Sequence, residues 1–232
     1  MLCDEIEIGK QYCQKHDYAI PSYITDNLKY PLYDWQRTAL ENFFINEKLR
    51  SKLLKKGEIL SPNHLMFNMA TGSGKTLVMA ALILYYYKQG YRNFIFFVNQ
   101  NAILGKTQAN FIDIKHNKYL FKENVVIDCR RVVFREVDMF SDFCDDIQIK
   151  FTTIQKLHND IYKESENSVL LSDLQKRDII LFGDEAHHLN ASTAKKKQTT
   201  LSDDISFIGE LKDSAKEEDI ERSWEHTVCH CI

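Results

Sequence analysis

Three prolines in 232 residues leave few fixed bends in this chain, and two of them, Pro21 and Pro31, fall within its first 34 residues. The six cysteines at 3, 13, 129, 144, 229 and 231 show no paired Cys-x-x-Cys spacing, so a disulfide or zinc framework is excluded and reduced thiols are expected. Cys229-His230-Cys231 lacks the second cluster that a four-ligand structural zinc needs. The start, Met1-Leu2-Cys3-Asp4-Glu5-Ile6-Glu7, has no basic stretch followed by an apolar core and is not a secretory signal. The apolar run Leu77–Tyr87 is 11 residues long, well short of the ~20 that a membrane span needs. No membrane partner follows, and the cytoplasm is the expected location. Nor is there an excess of charge: a net of -3 and a pI near 6.2 exclude a wholesale electrostatic grip on nucleic acid and leave only local contacts.

What is present is enough apolar residue, 44% of the chain, for a core, and one segment of unusual chemistry. Met69-Ala70-Thr71-Gly72-Ser73-Gly74-Lys75-Thr76 puts two glycines, a lysine and a threonine ahead of the apolar helix expected over Leu77–Tyr87, and behind His64-Leu65-Met66-Phe67-Asn68, which reads as a short buried strand. Glycines at 72 and 74 let the backbone curl so that several N–H groups face one concavity, where the helix dipole adds positive potential. Thr71, Gly72, Ser73, Gly74, Lys75 and Thr76 are therefore expected to cradle the phosphates of ATP, with Lys75 reaching the β- and γ-phosphates and the Thr76 hydroxyl ligating Mg²⁺. The usual pattern opens with glycine where this chain has Met69, which points to a subclass of the loop.

A second segment, Ile179-Ile180-Leu181-Phe182-Gly183-Asp184-Glu185-Ala186-His187, is an apolar strand that ends in adjacent carboxylates. Burying unpaired carboxylates costs several kcal/mol, so acids at a strand end are best explained by a metal or a cation. Asp184 is suited to hold Mg²⁺ and Glu185 to orient and deprotonate a water, which with Lys75 makes these the candidate catalytic residues.

The remaining pattern is an alternation of helix and strand. Trp35 to Lys56 has apolar residues at helical spacing and lysines 52, 55 and 56 before Gly57, which fits a helix end. Asn93–Val98, Val125–Asp128, Ile147–Phe151 and Asp178–Phe182 read as buried strands separated by crossover-length segments, implying a parallel sheet. The expected fold is α/β with a mostly parallel sheet flanked by helices, and with the loop at 69–76 it resembles a RecA-like P-loop NTPase domain. Residues 1–34 read as an extended lead-in packed on the body, 35–190 as the nucleotide-binding domain, and 191–232 as a charged insertion, with Lys195-Lys196-Lys197 and Lys216-Glu217-Glu218-Asp219, followed by a truncated strand approach at Trp224-Glu225-His226-Thr227-Val228.

Met69–Thr76 resembles motif I of superfamily 2 helicases, and Asp184-Glu185-Ala186-His187 resembles their motif II. The wording Met-Ala-Thr-Gly-Ser-Gly-Lys-Thr, the doubled His187-His188, and the lead-in from Ile20-Pro21 to Trp35-Gln36 look like the ATPase subunit of type III restriction endonucleases, with type I relatives close behind. The resemblance implies an ATP-driven translocase acting on double-stranded DNA beside a DNA methyltransferase (Mod) subunit. It also makes Gln36 a candidate for the adenine edge, as a glutamine amide can bond that edge twice; a surface glutamine is the plain alternative. Val98-Asn99-Gln100-Asn101 and Phe151-Thr152-Thr153-Ile154-Gln155 resemble DNA-contacting motifs, so Asn99, Gln100, Thr152 and Thr153 are candidate phosphate contacts, with helix capping as the competing role.

Motif III, a second RecA-like domain with its arginines, and a nuclease domain are not visible after residue 188. The expectation is an N-terminal fragment or truncated product that binds nucleotide but turns it over slowly, since a supplied arginine is worth roughly 10³ to 10⁵ in rate. A general DEAD/DEAH helicase outside restriction shares both motifs and stays open, as does a non-catalytic remnant. An ABC-type ATPase is set aside for want of a Leu-Ser-Gly-Gly-type signature between residues 76 and 184.

Overall fold

Hydrophobic patterning accounts for the longest helices directly. The computed structural model describes residues 2–12, 18–56, 64–98, 101–153, 156–157 and 176–184. They fall into two units, Met1–Gly90 with Ala109–Val133, and Tyr91–Gln108 with Phe134–Ile232. Among the described residues no helix is long and apolar enough to cross a membrane, and Cys129 and Cys144 are free thiols.

The first unit is built on α1 (Leu2–Tyr12), α2 (Ser22–Thr25), α3 (Asp34–Lys55) and α4 (Lys75–Lys88). In α3, Leu40, Phe43, Phe44 and Ile45 are buried, Asp34 lies in the first turn and Lys52 and Lys55 in the last, as the helix dipole favours. The expected helix over 35–56 is thus present; Gly57 lies outside the described residues. α4 is apolar nearly all round and correspondingly buried from Leu77 to Leu84 except Met79. Its Tyr85 and Tyr86 meet Phe43 of α3 edge-on, with centroids 5.2 and 5.9 Å apart, a geometry that adds to plain burial. α1 was expected to be part of an extended lead-in and is instead a helix against α3. Gly9 makes that possible, for a Cβ there would lie 2.7 Å from Ile45 Cγ2 and 3.2 Å from Leu49 Cδ1.

The same unit holds a two-stranded antiparallel hairpin, β2 (Val125–Ile127) and β3 (Arg130–Val132). Val125–Asp128 was expected to be a strand of the parallel sheet, and this is a correction. Asp128 and Cys129 both take positive φ, 53° and 61°, which turns the chain back within two residues, as in a type I′ hairpin. The hairpin is held by Asn27, whose side chain accepts from Val126 N–H at 2.9 Å and donates to Val126 O at 2.8 Å. Tyr23 nearby is pushed up to about 12 by burial and by the charge of Asp128.

The second unit contains β1 (Asn93–Val98), β4 (Phe134–Glu136), β5 (Ile147–Thr153) and β6 (Ile179–Gly183). They form one sheet in the order β4-β5-β1-β6, every pair parallel. Helix α5 (Asn101–Ile112) follows β1 and runs across the boundary of the two units. The mostly parallel α/β class expected from the sequence is the class observed. Of the four polar residues buried in β5, Gln148 and Lys150 have their reason in the β4–β5 connection. Gln148 accepts from Ser141 N–H at 2.8 Å and donates to Ser141 O at 2.9 Å. Lys150 Nζ donates to Asp138 O at 3.0 Å.

Residues 64–68 are a further correction. They form no strand, and their side chains alternate between half-buried and exposed, with Met66 81% exposed. A strand exists only beside a partner, and among the described residues β1 pairs directly with β5 and β6, with no ladder to 64–68. An apolar run that fits a buried strand is here an irregular lead to the loop.

Candidate nucleotide-binding site

From Ala70 the chain makes a tight turn, Ser73 N–H donating to Ala70 O at 3.2 Å, and two left-handed glycines shape it. Gly72 and Gly74 both have φ of +80°, a region open to glycine and strained for other residues. Gly74 is also the residue that precedes α4, and no side chain caps that helix end. The first-turn donors of a helix have no partners within it, and an anion is a natural one. At Gly72 a Cβ would meet nothing within 4 Å, so the outer side of the loop is open. Ser73 Oγ is buried with no hydrogen-bond partner among the described residues. The glycine curl, the uncapped helix start and the orphaned hydroxyl fit a phosphate-bearing ligand.

Lys75 and Thr76 are the first two residues of α4 and are both half-buried. They stand where an ammonium group and a magnesium-binding hydroxyl would be needed. Among the described residues, no three of His, Cys, Asp and Glu converge on one point. Mg²⁺ would be held by few protein oxygens, the phosphate oxygens and water, which is its habit in nucleotide sites.

Gln36 is brought to this loop by the first turn of α3. It is 1% exposed, so a surface role is ruled out, and its amide is fully used. Oε1 accepts from Tyr33 N–H at 2.9 Å, while Nε2 donates to Ser73 O at 2.9 Å and Gly74 O at 3.2 Å. An added Cβ at Gly74 would collide with Gln36 Nε2, so the closeness of amide and loop depends on glycine there. Adenine contact by Gln36 would require the amide to leave these carbonyls. Sequence reasoning missed the neighbour Trp35, whose indole N–H donates to Ser73 O at 3.0 Å; its signal was an indole directly beside a glutamine already singled out.

The acidic motif belongs to the second unit. Asp184 follows β6, half-buried, and its N–H donates to Phe97 O at 3.0 Å, extending the β1–β6 ladder. Gly183 before it has no room for a side chain, since a Cβ would lie 2.6 Å from the Phe97 ring. Glu185 and His187 lie outside the described residues, as do Asn99 and Gln100. Thr152 and Thr153 end β5, and both are buried. Thr152 is 0% exposed, so its hydroxyl does not meet a phosphate in this arrangement. Thr153 Oγ1 accepts from Lys156 N–H at 3.3 Å, the capping role that competed with DNA contact.

Comparison with known proteins gives the same direction. Residues 29–209 match the family described as "Type III restriction enzyme, res subunit". Over 217 residues the chain is 49% identical to the "Probable type III restriction-modification enzyme HindVIP Res subunit" of Haemophilus influenzae, covering 93% of this chain and 41% of that protein. The chain thus spans about two-fifths of the length of that curated relative. No solved structure matches.

Proposed function

The chain belongs to the type III restriction enzyme Res subunit family, and we propose that it is the ATP-binding first RecA-like motor domain of such a subunit. In this reading residues 35–190 form the motor domain, 1–34 pack on it as a lead-in, and 191–232 form a charged insertion. The single observation that carries it is the loop Thr71–Thr76, glycine-curled at φ of +80° and set on an uncapped helix start. Thr71, Gly72, Ser73 and Gly74 would bind phosphate through backbone N–H groups. Lys75 would neutralise the terminal phosphates, and Thr76 with Asp184 would hold Mg²⁺. That ion supplies charge neutralisation at the transferring phosphate when bound. Glu185 would orient water and take its proton.

In the whole subunit this site would couple ATP hydrolysis to translocation on double-stranded DNA for cleavage, alongside a methyltransferase (Mod) partner. Asn99 and Gln100 remain the proposed DNA contacts, without the buried Thr152 and without Thr153, whose hydroxyl accepts from Lys156 N–H.

Titration calorimetry with ATP and Mg²⁺ tests the reading. The wild-type chain should bind, Lys75→Ala should abolish binding, and Glu185→Gln should keep it while losing residual hydrolysis. Loss of nucleotide by the Glu185 variant would remove the water-activating role, and absence of magnesium-dependent heat with wild-type protein would remove the site itself.

A further inference from the structure

We infer that Trp35 is a positioning residue of the phosphate loop, acting through its indole N–H on the Ser73 carbonyl; the inference rests on the nucleotide-binding reading above. Ser73 O receives two donors from one turn of α3, Trp35 Nε1 at 3.0 Å and Gln36 Nε2 at 2.9 Å. Gly74 O receives Gln36 Nε2 at 3.2 Å and Leu77 N–H at 3.0 Å. A peptide group is planar and trans, so its C=O and N–H point in opposite directions. Drawing the Ser73 carbonyl toward α3 therefore turns the Gly74 N–H away from α3. Holding the Gly74 carbonyl turns the Lys75 N–H in the same way. These are two of the backbone donors at the start of α4, where an anion would be bound.

The indole is set for this task by its surroundings. Trp35 is 53% exposed, so burial does not oblige its N–H to find a protein acceptor; water would serve. It bonds the loop nonetheless, and its ring is steadied by stacking on Tyr33, with centroids 4.7 Å apart and planes 17° from parallel. Tyr33 is in turn tied to Gln36 through its backbone N–H. Tyr33, Trp35 and Gln36 thus form one clamp at the head of α3, and glycine at 74 leaves room for it. The glycines give the loop its freedom, and the clamp selects the orientation of two peptide planes from it.

The test separates loop positioning from the other use an exposed aromatic pair invites, a platform for the base. Trp35→Phe keeps a ring to stack on Tyr33 and deletes only the indole donor. With Mg²⁺ present, calorimetry against ATP, inorganic tripolyphosphate and adenosine should show ATP and tripolyphosphate weakened by the same factor, about 3- to 10-fold for one lost hydrogen bond, with adenosine unaffected. ATP weakened while tripolyphosphate is unchanged would make Trp35 a base platform and overturn the proposal. No change in either would overturn it as well. As a second readout, the Trp224→Phe chain leaves Trp35 as the sole tryptophan. Tripolyphosphate alone should then shift its emission, and an unmoved spectrum at saturation counts against the clamp. If the wild-type chain takes up neither ATP nor tripolyphosphate, the nucleotide reading itself fails, a result distinct from a defect confined to the Trp35 variant.

Discussion

Gln36 and Gln148 are each 1% exposed, and each spends its amide on the backbone of a loop, yet they do different things. Gln148 satisfies both sides of Ser141 and reaches Asn93 Oδ1 at 3.1 Å, fastening the β4–β5 connection to its sheet. Gln36 takes two consecutive carbonyls of a glycine loop at an uncapped helix start. Burial of a glutamine is therefore no mark of function. What separates the two is the object held: in one unit a connection that only has to stay down, in the other a pair of peptide planes that set which way donors face.

The comparison is broken most strongly at Gly74. Gly74→Ala meets both the positive φ and the Gln36 amide, and Mg·ATP affinity should fall about 10- to 100-fold, from ~1–3 kcal/mol of backbone strain, measured by calorimetry. Gln36→Leu should lower affinity about tenfold by removing one of the two donors from each of the Ser73 and Gly74 carbonyls and the acceptor of the Tyr33 N–H. Gln148→Leu should instead cost ~0.5–1.5 kcal/mol of stability for each hydrogen bond to Ser141 that is lost, read in a denaturant titration, with Mg·ATP affinity unchanged. An equal loss of affinity in both glutamine variants would erase the distinction drawn here.

The smallest expected effect sharpens the first unit from another side. Tyr23 is raised to about 12 in the folded chain from its ordinary value of 10.0, so the folded state holds that proton more tightly than the unfolded one. Its effect on stability is absent below the unfolded value and becomes a loss as pH rises from about 10 to 12. Tyr23→Phe should lose less stability than wild type across that window, in paired urea titrations at pH 9 and at about 11.5.

Where the sequence was legible, a long apolar run had a clear end. Asn93–Val98 is a strand with the bounds expected, and α4 covers the expected helix with two residues more at its start and one more at its end. Where it was not, the same apolar pattern served two outcomes. Val125–Ile127 looks like a parallel strand until Asp128 and Cys129 reverse the chain, and Asp-Cys lacks the glycine that usually announces such a turn. Leu65, Met66 and Phe67 look like a strand but have no ladder. The loop Thr71–Thr76 could be singled out from its spacing, because the proposed role of each residue there belongs to a residue type. The Trp35 and Gln36 bonds could not, because they join positions 38 and 37 residues apart, and no local period connects them. The buried state of Thr152 was hidden for a like reason: a hydroxyl at a strand end reads the same facing in or out.

The start of α4 has a thermodynamic corollary. No side chain caps that helix end, and an anion settling there would finish it, so occupancy and resistance to heat become two readings of one equilibrium. By mass action a ligand at a hundred times its dissociation constant adds about 2.7 kcal/mol to the folded state. Melting curves in rising tripolyphosphate would then trace the saturation of the loop directly, without any need for turnover.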